Sequence, residues 1–307
     1  MPALRLSIIL PTFNRAAALG HAVDALLHQT APHDAYEIIV VDNNCTDGTK
    51  ELLASITDSR VRCLRELRQG VSHARNTALA LARGDIIAFT DDDVEPAPDW
   101  VARIIDTLDA RPDLDGVGGR VLPAWEARCP EWLTREHWGP LALQDHGDQP
   151  RIFDRDSPIG LVGANLALRA AVFHRVGEFA LNVQRVCDGI GSTEDHDLLH
   201  RVYASGGRML YHPDLLVVAR VQPDRYARAY HRRWHAGHGR FHALMRLPEM
   251  ERTRKTVGGV PGHLLRTAVC DATVWIGSML SGRWDHAFQA ELRLRFFAGF
   301  ARTRFGK

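Results

Sequence analysis

Over its first hundred residues the chain alternates between two hydrophobic periods. Leu6-Ser7-Ile8-Ile9-Leu10 is a short apolar run stopped by Pro11, the pattern of a buried strand. Leu19, Ala22, Val23, Leu26 and Leu27 recur at the spacing of an amphipathic helix. Glu37-Ile38-Ile39-Val40-Val41 predicts a second strand ending in Asp42, and a polar turn, Asn43 to Gly48, leads into a helix around 50–56. Val61-Arg62-Cys63-Leu64 is a weaker third strand. The Ala/Leu-rich stretch 72–82 reads as a helix stopped by Gly84, and Ile86-Ile87-Ala88-Phe89 as a fourth strand running into Asp91-Asp92-Asp93.

Strands alternating with helices predict βαβ units, hence an α/β fold with a mostly parallel central sheet flanked by helices. In such sheets ligands sit off the carboxyl ends of the strands. The polar clusters fall at those ends: 11–15, 42–48 and 91–93.

Further along, Trp100, Ile104 and Leu108 continue as a helix. The stretch 123–158 is irregular and carries Trp125, Trp132 and Trp138 among Pro, Gly and His, so it reads as a functional or mobile loop. A strand is expected over 159–168 with a kink at Gly163-Ala164-Asn165. A helix follows, starting near Ser192–Asp195 and marked by Leu198, Leu199, Val202 and Tyr203, and then a last strand over 215–219.

Charge divides the chain. From Arg225 onward there are sixteen Lys/Arg against five Asp/Glu, whereas the preceding 224 residues hold 22 basic and 32 acidic ones. The acidic body argues against nucleic acid as a partner; the basic, aromatic tail points to a membrane surface or a polyanion. The expected division is therefore 1–224, split near 122, and 225–307. Five scattered Cys without a CxxC pair suggest neither a zinc ribbon nor a disulfide framework. With no signal pattern at Met1–Arg5, a cytoplasmic protein with reduced thiols is expected, or one lying peripherally on the inner face of the plasma membrane.

Each acidic cluster has a plain structural account and a chemical one. Three adjacent carboxylates at 91–93 need a cation or solvent, and hard divalent ions take oxygen ligands; otherwise they are a solvated turn. Asp42 can accept hydrogen bonds from a base or ribose, but the Asp47-Gly48-Thr49 context also suits turn and cap chemistry. Arg75, one turn into its helix, is in place for a phosphate or is a surface Arg. Glu194-Asp195-His196-Asp197 either stabilises a helix dipole or supplies a general base. The first strand is not followed by GxGxxG, which disfavours a dinucleotide site.

Read together, the segments Ile8–Arg15, Val41-Asp42-Asn43 with Asp47-Gly48-Thr49, Gly70 with Ala74-Arg75-Asn76, Thr90–Asp93, Gly163-Ala164-Asn165 and Glu194-Asp195 resemble the family 2 glycosyltransferases of the GT-A fold, over about residues 5–235. The resemblance implies a nucleotide-sugar half (1–122) and an acceptor half (123–224). Pro11, Thr12, Asn14 and Arg15 would line the nucleotide pocket, Asp42 would hold the base, typically uracil, and Arg75 would lie near the nucleotide or diphosphate. Asp91-Asp92-Asp93 looks like the family's DXD-type motif: Asp91 or Asp92 would meet the ribose, and Asp93 with Asp91 would hold Mn2+ or Mg2+. Gly163, Ala164 and Asn165 would border the sugar; Asp195 would be the catalytic base with Glu194 beside it. Many relatives carry a His after the last strand; here Val217-Val218-Ala219-Arg220 stands there instead.

The implied activity is inverting hexosyl or hexosaminyl transfer from a nucleotide sugar, UDP-linked, to a glycan or lipid-linked acceptor in surface polysaccharide assembly. The alternatives are a sugar-nucleotide-forming nucleotidyltransferase, disfavoured by the lack of a Gly-rich basic loop after the first strand, and a non-catalytic binding protein. In the tail, Arg232-Arg233 are candidates to meet a diphosphate or anionic acceptor. The run 264–280 is too short and charged for a confident membrane span. Phe288, Leu292, Phe296, Phe297 and Phe300 among arginines suit either an anionic membrane surface reached through 260–307 or a helical layer packed on the protein or on a second copy of the chain.

Overall fold

The protein is described by a computed structural model covering residues 4–186, 189–248, 250–251 and 255–306. Among these residues Cys45, Cys63, Cys129 and Cys270 are free thiols; Cys187 lies outside them. The chain forms two compact units, the first made of residues up to Ala124, Ala142–Leu181 and Glu194–Val221, the second of Trp125–Leu141, Asn182–Thr193 and Gln222 onward.

The first unit runs β1 (Leu6–Thr12), α1 (Ala16–Leu27), β2 (Tyr36–Asp42), α2 (Thr49–Ser55), β3 (Val61–Arg65), α3 (Val71–Leu79), β4 (Ile86–Phe89), β5 (Val94–Pro96), α4 (Trp100–Ala110), β6 (Gly116–Trp125), β7 (Arg151–Phe153), β8 (Leu166–Arg169), α5 (Ala170–Val176), α6 (Glu194–Ala204) and β9 (Met209–Val221). One sheet joins the strands in the order β3-β2-β1-β4-β8-β6-β9-β5, with β7 on β9. The expected parallel sheet occupies β3-β2-β1-β4; β8 then runs antiparallel to both β4 and β6, so the sheet is mixed. Side chains of β2 and β4 are buried on both faces, which is why these strands read as unbroken apolar runs. Ile9, Ile39, Phe89, Leu166, Leu198 and Tyr211 share one core.

The strand expected over 159–168 is present only as Leu166–Arg169, because Gly163–Asn165 form a tight 3-10 turn. Strand β6 is not visible as an apolar run. Its glycines are set by close packing, since a Cβ at Gly119 would overlap the Leu215 carbonyl and one at Gly116 the Ala167 carbonyl.

The order β2-β1-β4 makes the chain step outward through β2 and β3 and then return to the other side of β1. The crevice beyond β1 and β4 is thus the switch point at which sheets of this kind bind ligands. The register pairs Thr12 with Asp42 and Ile9 with Phe89, so the ends of β1, β2 and β4 open onto one edge.

The second unit contains α7 (Arg228–Met245), a short hairpin of β10 (Thr256–Val257) and β11 (Val260–Pro261), α8 (Gly262–Leu280) and α9 (Trp284–Phe305). Phe288, Leu292 and Phe300 of α9 are buried, so the aromatic stripe of the tail packs inward on this unit. Many of the basic side chains are neutralised at home: Arg232 by Glu291, Arg228 by Asp285, Arg293 by Asp271 and Arg304 by Glu251.

Trp132 meets His137, His231 and Phe288 edge-on, with ring centroids 5.2, 5.0 and 5.2 Å away. Burial drives the His231 side chain from its ordinary pKa of 6.5 to about 4, and His235 falls to about 4 for the same reason, with His231 and His137 adding to it. Both are folded as neutral rings, while the unfolded chain binds protons near pH 6.5. Their contribution is therefore complete above pH 6.5 and is lost as the pH falls toward 4; each tenfold preference of the fold for the neutral ring is worth about 1.4 kcal/mol. Thermal unfolding between pH 7 and 5 should show a falling Tm, and His231→Gln should flatten that slope; equal slopes would remove the histidine as its cause.

Candidate active site

Three loops meet at the switch point. In the β1–α1 loop, Asn14 takes a left-handed backbone (φ 53°), a conformation Asn tolerates, and its Oδ1 accepts the Thr46 N–H at 2.7 Å. Asp47 Oδ2 in turn accepts the Ala16 N–H at 3.0 Å, so the loops after β1 and β2 are tied in both directions. Asp42 is buried; its Oδ1 accepts the Cys45 N–H at 2.7 Å, and Arg65 Nε lies 3.5 Å from Oδ2. Asn43, adjacent to it and absent from the expected site, donates to the carbonyls of Glu66 and Arg68 and accepts the Gly70 N–H, fixing the entry to α3.

The acidic triplet is divided in its direction. Asp92 is buried, accepts Thr12 Oγ1–H at 2.7 Å and meets Arg15 at 3.0 Å; burial pushes its carboxyl above the usual carboxylate range, against the pull of Arg15. Asp93 lies 2.8 Å from the same Arg15 nitrogen. Burial works against the charge of Arg15, but Asp93 and Asp92 outweigh it and hold the guanidinium protonated. Pro11 lies at the same strand end, half-buried. Asp91 is a third exposed and lies 3.3 Å from Arg75.

Arg75 is the hinge of the corner. Only 3% of its side chain is exposed. It reaches Asp91 at the end of β4 and, at 3.1 Å, Glu194 at the start of α6, while its guanidinium lies over the rings of Phe179 and Phe89. Burial opposes its charge; Asp91, Glu194 and Asp195 together more than restore it. Asp195 Oδ2 accepts the Gly163 N–H at 2.9 Å. A Cβ on Gly163 would stand 3.0 Å from both Arg75 and Asp195, so glycine lets the guanidinium and the carboxylate approach one backbone position. Ala164 is buried beside it.

Asn165 is fully buried and turned into the fold. It accepts Trp100 Nε1–H at 2.8 Å and donates to the carbonyls of Arg120 and Leu215, also at 2.8 Å, so it locks α4, β6 and β9 together. Arg220 extends from the end of β9 beside the triplet: its N–H donates to the Asp93 carbonyl at 2.9 Å and its side chain pairs with Glu95 at 2.6 Å. Arg232 is paired within the second unit, as are the aromatic contacts of Trp132. The structure thus gathers Thr12, Arg15, Arg75, Asp91, Asp92, Asp93, Gly163, Glu194 and Asp195 through direct contacts at one edge.

The donor set available to a cation is oxygen-only, Asp91 and Asp93, and among the described residues no group of three or more His, Cys, Asp or Glu could hold a metal by itself. Two hard carboxylates with open positions suit a divalent ion that keeps water and phosphate oxygens as its other ligands.

A mixed sheet with this acidic corner at its switch point is the GT-A architecture. Over 99% of the chain it matches a mannosyltransferase from Pyrobaculum calidifontis, solved in complex with GDP-Man and Mn2+, with a TM-score of 0.64 at 21% identity and 88% coverage of that chain. A like match, TM-score 0.56 at 15% identity over 99% of this chain and 92% of the other, is to S. aureus TarS 1-349 in complex with UDP. Residues 7–173 match the family model for glycosyl transferase family 2, and the chain belongs to that family. Among curated proteins it is 29% identical over 214 residues to a glucosyl-dolichyl phosphate glucuronosyltransferase of Haloferax volcanii, covering 68% of this chain and 66% of that protein.

Proposed function

We propose that the chain is an inverting, metal-assisted glycosyltransferase that moves a hexosyl or hexosaminyl group from a uridine-diphosphate sugar to a hydroxyl of a glycan or lipid-linked acceptor. The observation that carries this reading is the buried Arg75, which joins Asp91 of the acidic triplet to Glu194 and the neighbouring Asp195, residues about a hundred positions away in sequence. A site for charge on a leaving diphosphate and a carboxylate for an acceptor proton are thereby held in one corner.

In this reading Thr12, Asn14 and Pro11 form the nucleotide wall, stiffened by Asp92 from behind, and Asp42 with Arg65 faces the base. Asp91 and Asp93 would hold Mn2+ or Mg2+, which would supply positive charge against that developing on the departing diphosphate. Arg15 and Arg75, fixed cations at the same corner, add to that stabilisation without reorganising. Asp195, oriented by the Gly163 N–H, accepts the proton of the acceptor hydroxyl as it attacks the anomeric carbon. A single base on the acceptor side fits direct displacement, hence inversion. Glu194 is a positioning residue that anchors Arg75. The names of the glucuronosyltransferase relative and of the UDP and GDP-Man complexes support a nucleotide donor and a lipid-linked acceptor.

A thermal-shift panel of UDP, GDP and ADP and their sugars, with and without Mn2+, tests the donor. Ligand at about a hundred times its Kd stabilises by about 2.7 kcal/mol. The expected result is a metal-dependent rise in Tm with the UDP compounds, and no shift with any nucleotide would overturn the reading.

A further inference from the structure

Beyond its first turns, helix α8 buries an acid and exposes apolar side chains. Asp271 and Ser278 are buried, whereas Thr267 and Thr273 are exposed, and Asp271 pairs at 2.6 Å with Arg293 of α9. Leu264, Leu265 and Ala268 pack inward, but most of the apolar side chains beyond them are outside. Val269, Ile276 and Leu280, at i, i+7 and i+11 on one face, are 66%, 52% and 85% exposed, Met279 stands next to them, and Val274 and Trp275 are exposed further round the helix. Trp284, just past the helix end, is 59% exposed. A folded chain does not ordinarily leave a contiguous stripe of this kind in water unless something covers it.

We propose that this face of α8 is the surface by which the chain lies on an anionic membrane. The charges around the stripe select that occupant. Between Lys255 and Trp284 the single acidic residue is Asp271, which is buried and neutralised. Arg266 and Arg283, both exposed, bracket the stripe, one in the first turns of the helix and one just beyond it. Apolar side chains, Trp284 just past the helix and a rim whose one exposed acid, Asp285, is already paired with Arg228 match the boundary between acyl chains and anionic headgroups. A second copy of the same face would instead bring arginine toward arginine. The helix lies on the bilayer and does not cross it, since among the described residues no helix is long and apolar enough to span one. Of the two roles the sequence leaves open for the aromatic stripe of α9, Phe288, Leu292 and Phe300 take the packed one, and the exposed apolar surface is that of α8. The inference is independent of the donor chemistry and agrees with a lipid-linked acceptor in the proposed function.

The test is sedimentation of the full chain with sucrose-loaded vesicles of phosphatidylcholine, alone or with about 30% phosphatidylglycerol. The chain should pellet with the anionic vesicles and far less with the neutral ones. Ile276→Asp with Leu280→Asp, and separately Arg266→Glu with Arg283→Glu, should each weaken binding about tenfold or more. Because all four positions are exposed, the Tm and the nucleotide-induced rise in Tm should stay as in the wild type, which keeps failure here distinct from failure of the active-site reading. The proposal is overturned if the chain stays in the supernatant with anionic vesicles, or if either double variant binds like the wild type. It is equally overturned if sedimentation velocity shows a dimer that Ile276→Asp with Leu280→Asp splits, since a second copy then covers the face.

Discussion

Asp195→Asn is expected to lower kcat by about 10²- to 10⁴-fold, the usual contribution of a general base, and to leave donor affinity unchanged. Asn keeps an oxygen to accept the Gly163 N–H, so the loop at 163–165 holds its place, but it has no basic oxygen to take the acceptor proton. The wild-type carboxylate sits beside a corner in which Arg75 is also paired with Asp91 and Glu194, so one lost negative charge does not dismantle the cluster. Acceptor-dependent release of nucleoside diphosphate reads the loss, and a direct titration of the donor reads the retained affinity. A variant that turns over at the wild-type rate would pass the role of base to another group.

The second large effect belongs to Asp91 and Asp93. Replacing both with Asn should remove the metal-dependent part of nucleotide affinity, by roughly a hundredfold or more, since even the groups that merely orient metal ligands are worth about 10–100-fold. In the protein alone Asp93 is paired with Arg15 and Asp91 with Arg75, so both side chains are positioned before any ligand arrives. Asn at both positions leaves Arg15 still bonded to Asp92 and Arg75 still bonded to Glu194, so the loops keep their anchors while the hard oxygens are gone.

The sequence was most legible where burial on both faces leaves an uninterrupted apolar run. β1, β2 and β4 declare themselves that way, and the polar residues immediately after each of them are those that meet at the switch point. It was least legible where packing demands small residues: β6 carries Gly116, Gly118 and Gly119 because neighbouring carbonyls come too close for a Cβ, and this erases the period-two signal. In the antiparallel half of the sheet, β8 and β9 are therefore legible only in part, through the runs 159–168 and 215–219, while β6 emerges only in three dimensions.

Within the site, the identity of a residue is visible in sequence but the direction of its side chain is not. Asp91, Asp92 and Asp93 are equivalent letters, yet Asp92 turns inward to Thr12 and Arg15. Asn165 belongs to the string that marks the corner, and its side chain is spent on joining Trp100, Arg120 and Leu215. Arg75 reads as any helix arginine until the structure buries it between two acidic segments. Asn43, which pins 66–70 by three hydrogen bonds, has a faint sequence signal in its place directly after the strand-ending Asp42. The tail shows the same limit at the scale of a helix. A basic aromatic pattern in α9 and an apolar run broken by Asp271 in α8 cannot be ranked for exposure until Arg293 is seen to take that aspartate inside.

In the proposed function the carboxylates closing β4 bind a divalent ion together with a nucleoside diphosphate. Isothermal titration of UDP into the protein, with Mn2+ present and then with it chelated, tests this most directly when repeated on Asp91→Asn with Asp93→Asn. The expected result is tight, Mn2+-dependent binding in the wild type and, in the double variant, the same affinity with and without Mn2+. UDP affinity that is the same with and without Mn2+ in the wild type, or a metal effect that survives in the double variant, would contradict it.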